Sequence, residues 1–266
     1  MALDRRGVHV DPQLLLLLLL AAAAAGWFDA VVGGGGLLQL PALMLAFPGL
    51  PVAGLIGTDK LASTLGTTSA AMRLARSTPV DLRLVMPMGA MAVIASGVGL
   101  VTTTVVPRSS LTPLILIALC LVLGVVLACR DLGLRNRPER STGWRRICAV
   151  LALGAALPFY NGLVGPGTGT MMVVVLTLLL GMDFVAGSAA SKVINVGANV
   201  GALAVAASTS EVLWLVGAAM ALCNIAGAQF GARCVLGRGV RFVRVVLVVI
   251  VSALIINLGR RQLFGA

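Results

Sequence analysis

Long apolar runs, interrupted by glycine, proline or arginine, set the pattern of this chain. They fall at about 13–32, 37–47, 51–72, 84–106, 111–129, 147–164, 169–181, 184–207, 212–232 and 242–258. They are rich in Leu, Val and Ala without period-two alternation, which predicts helices rather than the strands of a barrel. The stretch 37–72 is too long for one membrane span. As a helix it would measure roughly 54 Å, against a hydrocarbon core of about 30 Å. Pro48-Gly49-Leu50-Pro51 breaks it, because proline and glycine stop a helix there. Gly181-Met182-Asp183 is the matching interruption further on. The pieces 37–47 and 169–181 are too short to span upright and read as half-helices or as one arm of a re-entrant hairpin.

Composition sharpens the class. The chain is 59% hydrophobic and 11% charged, with a mean hydropathy of +1.05; a soluble domain carries about 25% charged residues. The expectation is an all-α, polytopic transmembrane protein of 8–10 helical segments, located in the inner or plasma membrane of a prokaryote. Leu14 to Ala25, preceded by Arg5 and Arg6, has the look of a signal-peptide core. The apolar stretch continues through Val31 and Val32, so an uncleaved first helix is expected. The net charge of +11 sits mostly in short polar stretches. It reads as an orientation signal and as contact with membrane lipid, not as a nucleic-acid site, since no basic stretch is interleaved with aromatics. The cysteines Cys120, Cys129, Cys148, Cys223 and Cys234 form no CxxC pair and read as small apolar packing residues. The sole histidine, His9, is near the N-terminus. No metal site, cofactor or catalytic residue is expected, and no P-loop suggests ATP-driven transport.

Two lysines carry the chemistry. Of the 20 basic residues only Lys60 and Lys192 are lysines, and both lie inside apolar stretches. An ionisable residue at mid-membrane costs roughly 3 kcal/mol on insertion scales, which makes it a functional-site candidate by default. Lys192 follows Lys60 by 132 positions (192 − 60), and the flanking sequences align at that offset without gaps. Phe28-Asp29 falls on Tyr160-Asn161, Gly33 on Gly165, Gly35 on Gly167, and Gly49 on Gly181. Identity is low, but glycine turn, break and lysine all keep their spacing. The chain is therefore divided into a first repeat (1–130), a basic linker (131–146) and a second repeat (147–266).

Arginine placement orients the repeats. Arg73, Arg76 and Arg83 mark one cytoplasmic loop, Arg130, Arg135, Arg137, Arg140, Arg145 and Arg146 a second, and Arg233, Arg238 and Arg241 a third. The linker Ser208-Thr209-Ser210-Glu211 has no positive charge and should be outside. All three arginine loops face inward if each half has three full spans plus a broken or re-entrant helix pair, or five spans. Either count is odd, so the repeats are expected to be inverted, with both termini outside. The terminal pairs Arg5-Arg6 and Arg260-Arg261 argue weakly against this.

Inverted repeats with broken helices place substrate near the midplane at the repeat interface. Lys60 lies nine residues into its segment, roughly 13 Å from the start at helical rise, too deep to snorkel easily. Ser63 and Thr67 follow it at i+3 and i+7, and Asn195 and Asn199 follow Lys192 at the same offsets. These side chains could bind an oxyanion or could mediate helix packing. The turns Gly33–Gly36 and Gly165-Pro166-Gly167-Thr168-Gly169 precede the short helices. There Gly35, Gly167 and Thr168 could offer backbone N–H groups to an anion, although a close helix crossing explains glycine equally well. Asp29 and Asp59 break the symmetry against Asn161 and Ser191, and are candidates for ion coupling. Asp29 could equally cap the turn after the first helix.

At these residues the chain resembles the sulfite exporter TauE/SafE family, also called the toluene sulfonate uptake permease family. The resemblance runs through Trp27–Thr67 and Pro158–Asn199: the glycine turns, the Gly-x-Pro break, and the GTDK and ASK segments. Phe159-Tyr160-Asn161-Gly162 with Gly165–Gly169 is the most family-like stretch. The GTDK segment departs from the usual pattern, which often has serine or asparagine at the position of Asp59. The resemblance implies a non-enzymatic permease for a small anionic substrate such as sulfite or an organosulfonate. A passive anion channel and a membrane scaffold without transport are the alternatives. An intramembrane enzyme is disfavoured, because no base or acidic cluster accompanies a nucleophile.

Overall fold

A computed structural model describes residues 12–33, 35–103, 105, 143–165, 167–209 and 212–264. It also describes a scatter of positions in 116–134 (116, 117, 120, 123, 124, 126–128, 133 and 134). The expectations for the N-terminal arginines and His9, Gly34, most of segment 111–129, Arg130, Arg135, Arg137 and Arg140 of the linker, Pro166, and Ser210-Glu211 lie outside the described residues.

Among the described residues the structure is helical, without strands. The helices are α1 (Pro12–Val32), α2 (Gly36–Ala46), α3 (Val52–Ser77), α4 (Leu82–Thr102), α5 (Gly143–Leu163), α6 (Thr168–Leu180), α7 (Phe184–Thr209) and α8 (Trp214–Phe264). Four of them, α1, α4, α5 and α7, are long and apolar enough to cross a membrane. Helix α3 equals α7 in length at 26 residues but carries Asp59, Lys60 and a run of hydroxyl side chains. The protein is a polytopic helical membrane protein.

Local chemistry fixes the ends. Helix α2 stops at Phe47, and the Pro51 that follows precedes the first turn of α3. Asp183 caps α7: its Oδ1 accepts from the N–H groups of Val185 (2.9 Å) and Ala186 (2.8 Å). Helix α5 widens to a π-turn over Ala152–Ala156, where Leu157 N–H reaches back to Ala152 O. Pro158 follows directly and has no N–H to give to the preceding turn, so the widening sits where the ladder is already broken. The short helices α2 and α6 have 11 and 13 residues, roughly 16 and 20 Å long, well under a membrane's thickness.

The third arginine stretch holds a break, narrowed to a single residue. Hydropathy falls at Arg233 to Arg241, and helix runs up to Gly239 from both sides. Helix α8 spans 51 residues with one non-helical residue, Gly239 (φ 71°, ψ −164°). Unbroken, it would be roughly 77 Å long, far more than a span. The glycine divides it into limbs 214–238 and 240–264.

Packing interlocks the two halves. Helices α1 and α3 pack on α8, while α5 and α7 pack on α4. Under the 132-residue shift, α1 maps on α5, α2 on α6, α3 on α7 and α4 on the start of α8, so each half hands its last helix to the other. Two apolar clusters follow the same plan. Leu18, Leu40, Leu43, Leu55 and Met220 join α1, α2 and α3 to α8. Leu153, Met172, Leu176, Ile194 and Met88 join α5, α6 and α7 to α4. Lipid tails are as apolar as leucine, so close packing rather than escape from water holds such helices together. The crossings are accordingly made at glycine. Gly227 lies against the backbone of Ala23, Gly201 against that of Val93, and Gly162 against that of Ser96, leaving no room for a Cβ.

Candidate functional site

Where α3 and α7 meet the ends of α1 and α5, the structure forms a small, partly open polar cavity of about 20 Å³, room for about one water molecule. Its wall includes Lys60, Asp59 and Ser63 from α3, Asn195 and Asn199 from α7, Asp29 from α1 and Asn161 from α5. Gly33, Gly36, Gly165 and Gly169 complete it. Gly33 and Gly165, one repeat apart, both have positive φ (84° and 86°), a region that side-chain-bearing residues avoid. A Cβ on Gly165 would stand 3.2 Å from Lys60 Nζ, and one on Gly33 would strike the Gly169 backbone. Glycine at these points lets the chain turn tightly beside the buried charge.

The two lysines are held by one plan. Lys60 Nζ donates to Asn161 Oδ1 (3.0 Å), and Asn161 Nδ2 donates to Asn199 Oδ1 (3.2 Å). Lys192 Nζ stands 3.5 Å from Asp29 Oδ1, and Thr67 Oγ1 donates to Asp29 Oδ2 (2.9 Å). Asp29 is the repeat equivalent of Asn161, and Thr67 that of Asn199. Each lysine therefore reaches across to the other half, and each acceptor is steadied by α3 or α7 of its own half. Both lysines are buried, at 3% and 0% exposure. The plan is shared but the charges are not: Lys192 faces a carboxylate and Lys60 faces a neutral amide.

The positions singled out in the sequence separate into three groups. Lys60, Ser63, Asn195, Asn199, Asp29 and Asp59 come together on the cavity wall. Lys192 and Thr67 meet Asp29 from behind. Gly35, Gly167 and Thr168 do other work: Gly35 packs on the Ala25 carbonyl and the Asp29 side chain, Gly167 turns the chain at φ 82° into α6, and Thr168 Oγ1 bonds Gly165 O (2.9 Å).

Other residues emerge only in three dimensions. Asn161 orients Lys60; its sequence signals were its alignment on Asp29 and its place in the most family-like stretch. Buried Gln39 donates to the Asp59 backbone oxygen (3.3 Å) and accepts from Asn224 Nδ2 (2.8 Å), tying α2 and α8 to the site. The C-terminal carbonyls of α1 find donors in the second half, from Thr170 Oγ1 to Val32 O (2.9 Å) and from Ser188 Oγ to Ala30 O (3.3 Å). Thr58 Oγ1 accepts from Leu213 N–H (3.0 Å) at the start of α8.

Interlocked helices, two of them short and paired with breaks, thus surround a small polar cavity. The sequence matches the family described as "Sulfite exporter TauE/SafE" over residues 18–258, and the chain belongs to that family. It is 34% identical to a "Probable membrane transporter protein ORF9" of Sinorhizobium sp, over 84% of this chain and 83% of the relative. It is 32% identical to the "Probable membrane transporter protein YfcA" of Escherichia coli strain K12, over 82% of this chain and 78% of the relative. A probable membrane transporter protein of Haemophilus influenzae is 30% identical over 80% of this chain and 82% of its own length. No solved structure matches the chain.

Proposed function

We infer that the protein is a secondary transporter of the cell inner membrane that moves a small oxyanion, sulfite or an organosulfonate in the first instance, by alternating access between two inverted repeats. The observation that carries this reading is Lys60: a buried ammonium on the wall of a polar cavity, hydrogen-bonded to an amide oxygen rather than to a carboxylate. An ammonium bonded to a neutral amide keeps donors for an anion beside it. Asn195, Asn199 and Ser63 surround it with groups able to hydrogen-bond sulfonate or sulfite oxygens. The exchange of helices between halves supports the repeat division 1–130 and 147–266 and gives the two halves matching surfaces that could rock about the site. The chain's own residues bind and screen the anion; no bond of the substrate changes, so the reading is non-enzymatic.

The test is flux of radiolabelled sulfite, thiosulfate, sulfoacetate and methanesulfonate in proteoliposomes. Saturable flux of at least one anion, lost in Lys60→Met, is the expected result. Linear, non-saturating conductance supports a channel instead, and no flux for any of the four overturns the permease reading.

A further inference from the structure

We propose that Asp59 carries a proton through the transport cycle, so that one monoanion moves with one proton and without net charge. This rests on the anion-permease reading and adds its energy coupling. Asp59 is 2% exposed and on the cavity wall, and its Oδ1 meets no hydrogen-bond donor among the described residues. The other carboxylate on the wall is differently placed. Asp29 accepts the Thr67 hydroxyl on Oδ2 (2.9 Å) and faces the Lys192 ammonium on Oδ1 (3.5 Å). A proton on Asp29 would be set against donors already pointing at it; a proton on Asp59 meets none.

The surrounding charges give the stoichiometry. Asp59 is faced by Lys60 beside it on α3 and by Asp29 across from α1, with Lys192 of α7 behind Asp29. Helices α2 and α8 present the neutral amides Gln39 and Asn224, and Gln39 binds the Asp59 backbone oxygen, not the carboxylate. With all four groups ionised, two positive and two negative charges cancel. A monoanion would then leave the buried chamber with an uncompensated negative charge, which a low-dielectric interior penalises by several kcal/mol. One proton on Asp59 restores neutrality. It also turns an acceptor-only carboxylate into an O–H donor that a sulfonate oxygen can accept. Release of the anion and of the proton to the same side returns the chamber to its neutral empty state.

The experiment uses the full-length protein in proteoliposomes with radiolabelled methanesulfonate, whose charge is fixed across the working pH range. An inward proton gradient of one pH unit should drive about ten-fold accumulation in wild type, since each ten-fold ratio matches the same free energy. A valinomycin-imposed potential should drive none. In Asp59→Asn, which mimics the protonated carboxyl, the dependence should invert: the pH gradient drives no accumulation, the potential drives it, and anion exchange across the membrane persists. Asp59→Glu, which keeps the carboxyl, should retain gradient-driven uptake and guards against a variant that fails to fold. Gradient-driven uptake surviving in Asp59→Asn, or wild-type uptake that follows the potential and ignores pH, overturns the coupling role while leaving the permease intact. Wild type that moves no anion of the panel overturns the permease reading and this inference with it.

Discussion

The two half-sites share a scaffold and differ in charge. On one side Lys60 donates to Asn161, which Asn199 steadies; on the other Lys192 faces Asp29, which Thr67 steadies. The positions are equivalent, yet one lysine contacts a carboxylate and the other an amide. A contact ion pair in low dielectric is largely self-compensating, whereas an ammonium bonded to an amide keeps donors for an anion. On the proposed reading the Asp29–Lys192 pair serves the structure and Lys60 serves the substrate.

The largest effect is expected from Lys60→Met. Removing the ammonium on the wall should cut saturable flux by about a hundred-fold or more, the scale of a lost hydrogen-bonded charge contact, while expression and melting stay near wild type. Lys192→Met should act the other way, on the fold. It leaves Asp29 charged and without its cation, a defect worth about 3–5 kcal/mol when a buried pair is broken on one side. Yield and thermal stability in detergent should fall sharply, and Asp29→Asn in the same chain should restore them. A thermal melt of the single and double variants checks this. Asn161→Asp makes the Lys60 side a copy of the other. Neutralising Lys60 in this way should raise the half-saturating anion concentration by about ten-fold or more, measured by the concentration dependence of uptake. The smallest effect belongs to Thr58→Val, which deletes the acceptor for Leu213 N–H at the start of α8. Loss of such a cap costs about 1 kcal/mol, so melting should fall by a few degrees with the anion affinity unchanged.

Much of this arrangement was legible in the sequence, for physical reasons. A membrane demands long apolar helices, so the runs 13–32, 37–47 and 184–207 fall close to α1, α2 and α7. Proline and glycine act locally, so the Pro48–Pro51 and Gly181–Asp183 breaks stand where the chain turns. The lysine pair was visible because a charge in an apolar run is conspicuous. Hydropathy marks where a helix stops being apolar, not the residue at which it stops; that is why Arg233 to Arg241 read as a loop while the break is the single residue Gly239 inside that stretch. Partners were hidden for another reason. Helical spacing shows that Thr67 shares a face with Lys60, but not that its hydroxyl is taken by Asp29 on another helix. Likewise a glycine-rich turn does not reveal whether it meets an anion or a neighbouring backbone. Gly165 borders the lysine, and Gly35 packs on α1.

The most direct measurement is anion binding to purified protein, by calorimetry with the anion identified in the flux screen, in wild type, Lys60→Met and the Asp29→Asn/Lys192→Met double variant. Binding retained in the double variant and abolished in Lys60→Met is the expected result if the amide-bonded lysine serves the substrate and the ion-paired one does not. Binding that survives loss of Lys60, or that disappears when the Asp29–Lys192 pair is replaced by neutral residues in a folded protein, would contradict the division of labour between the two half-sites.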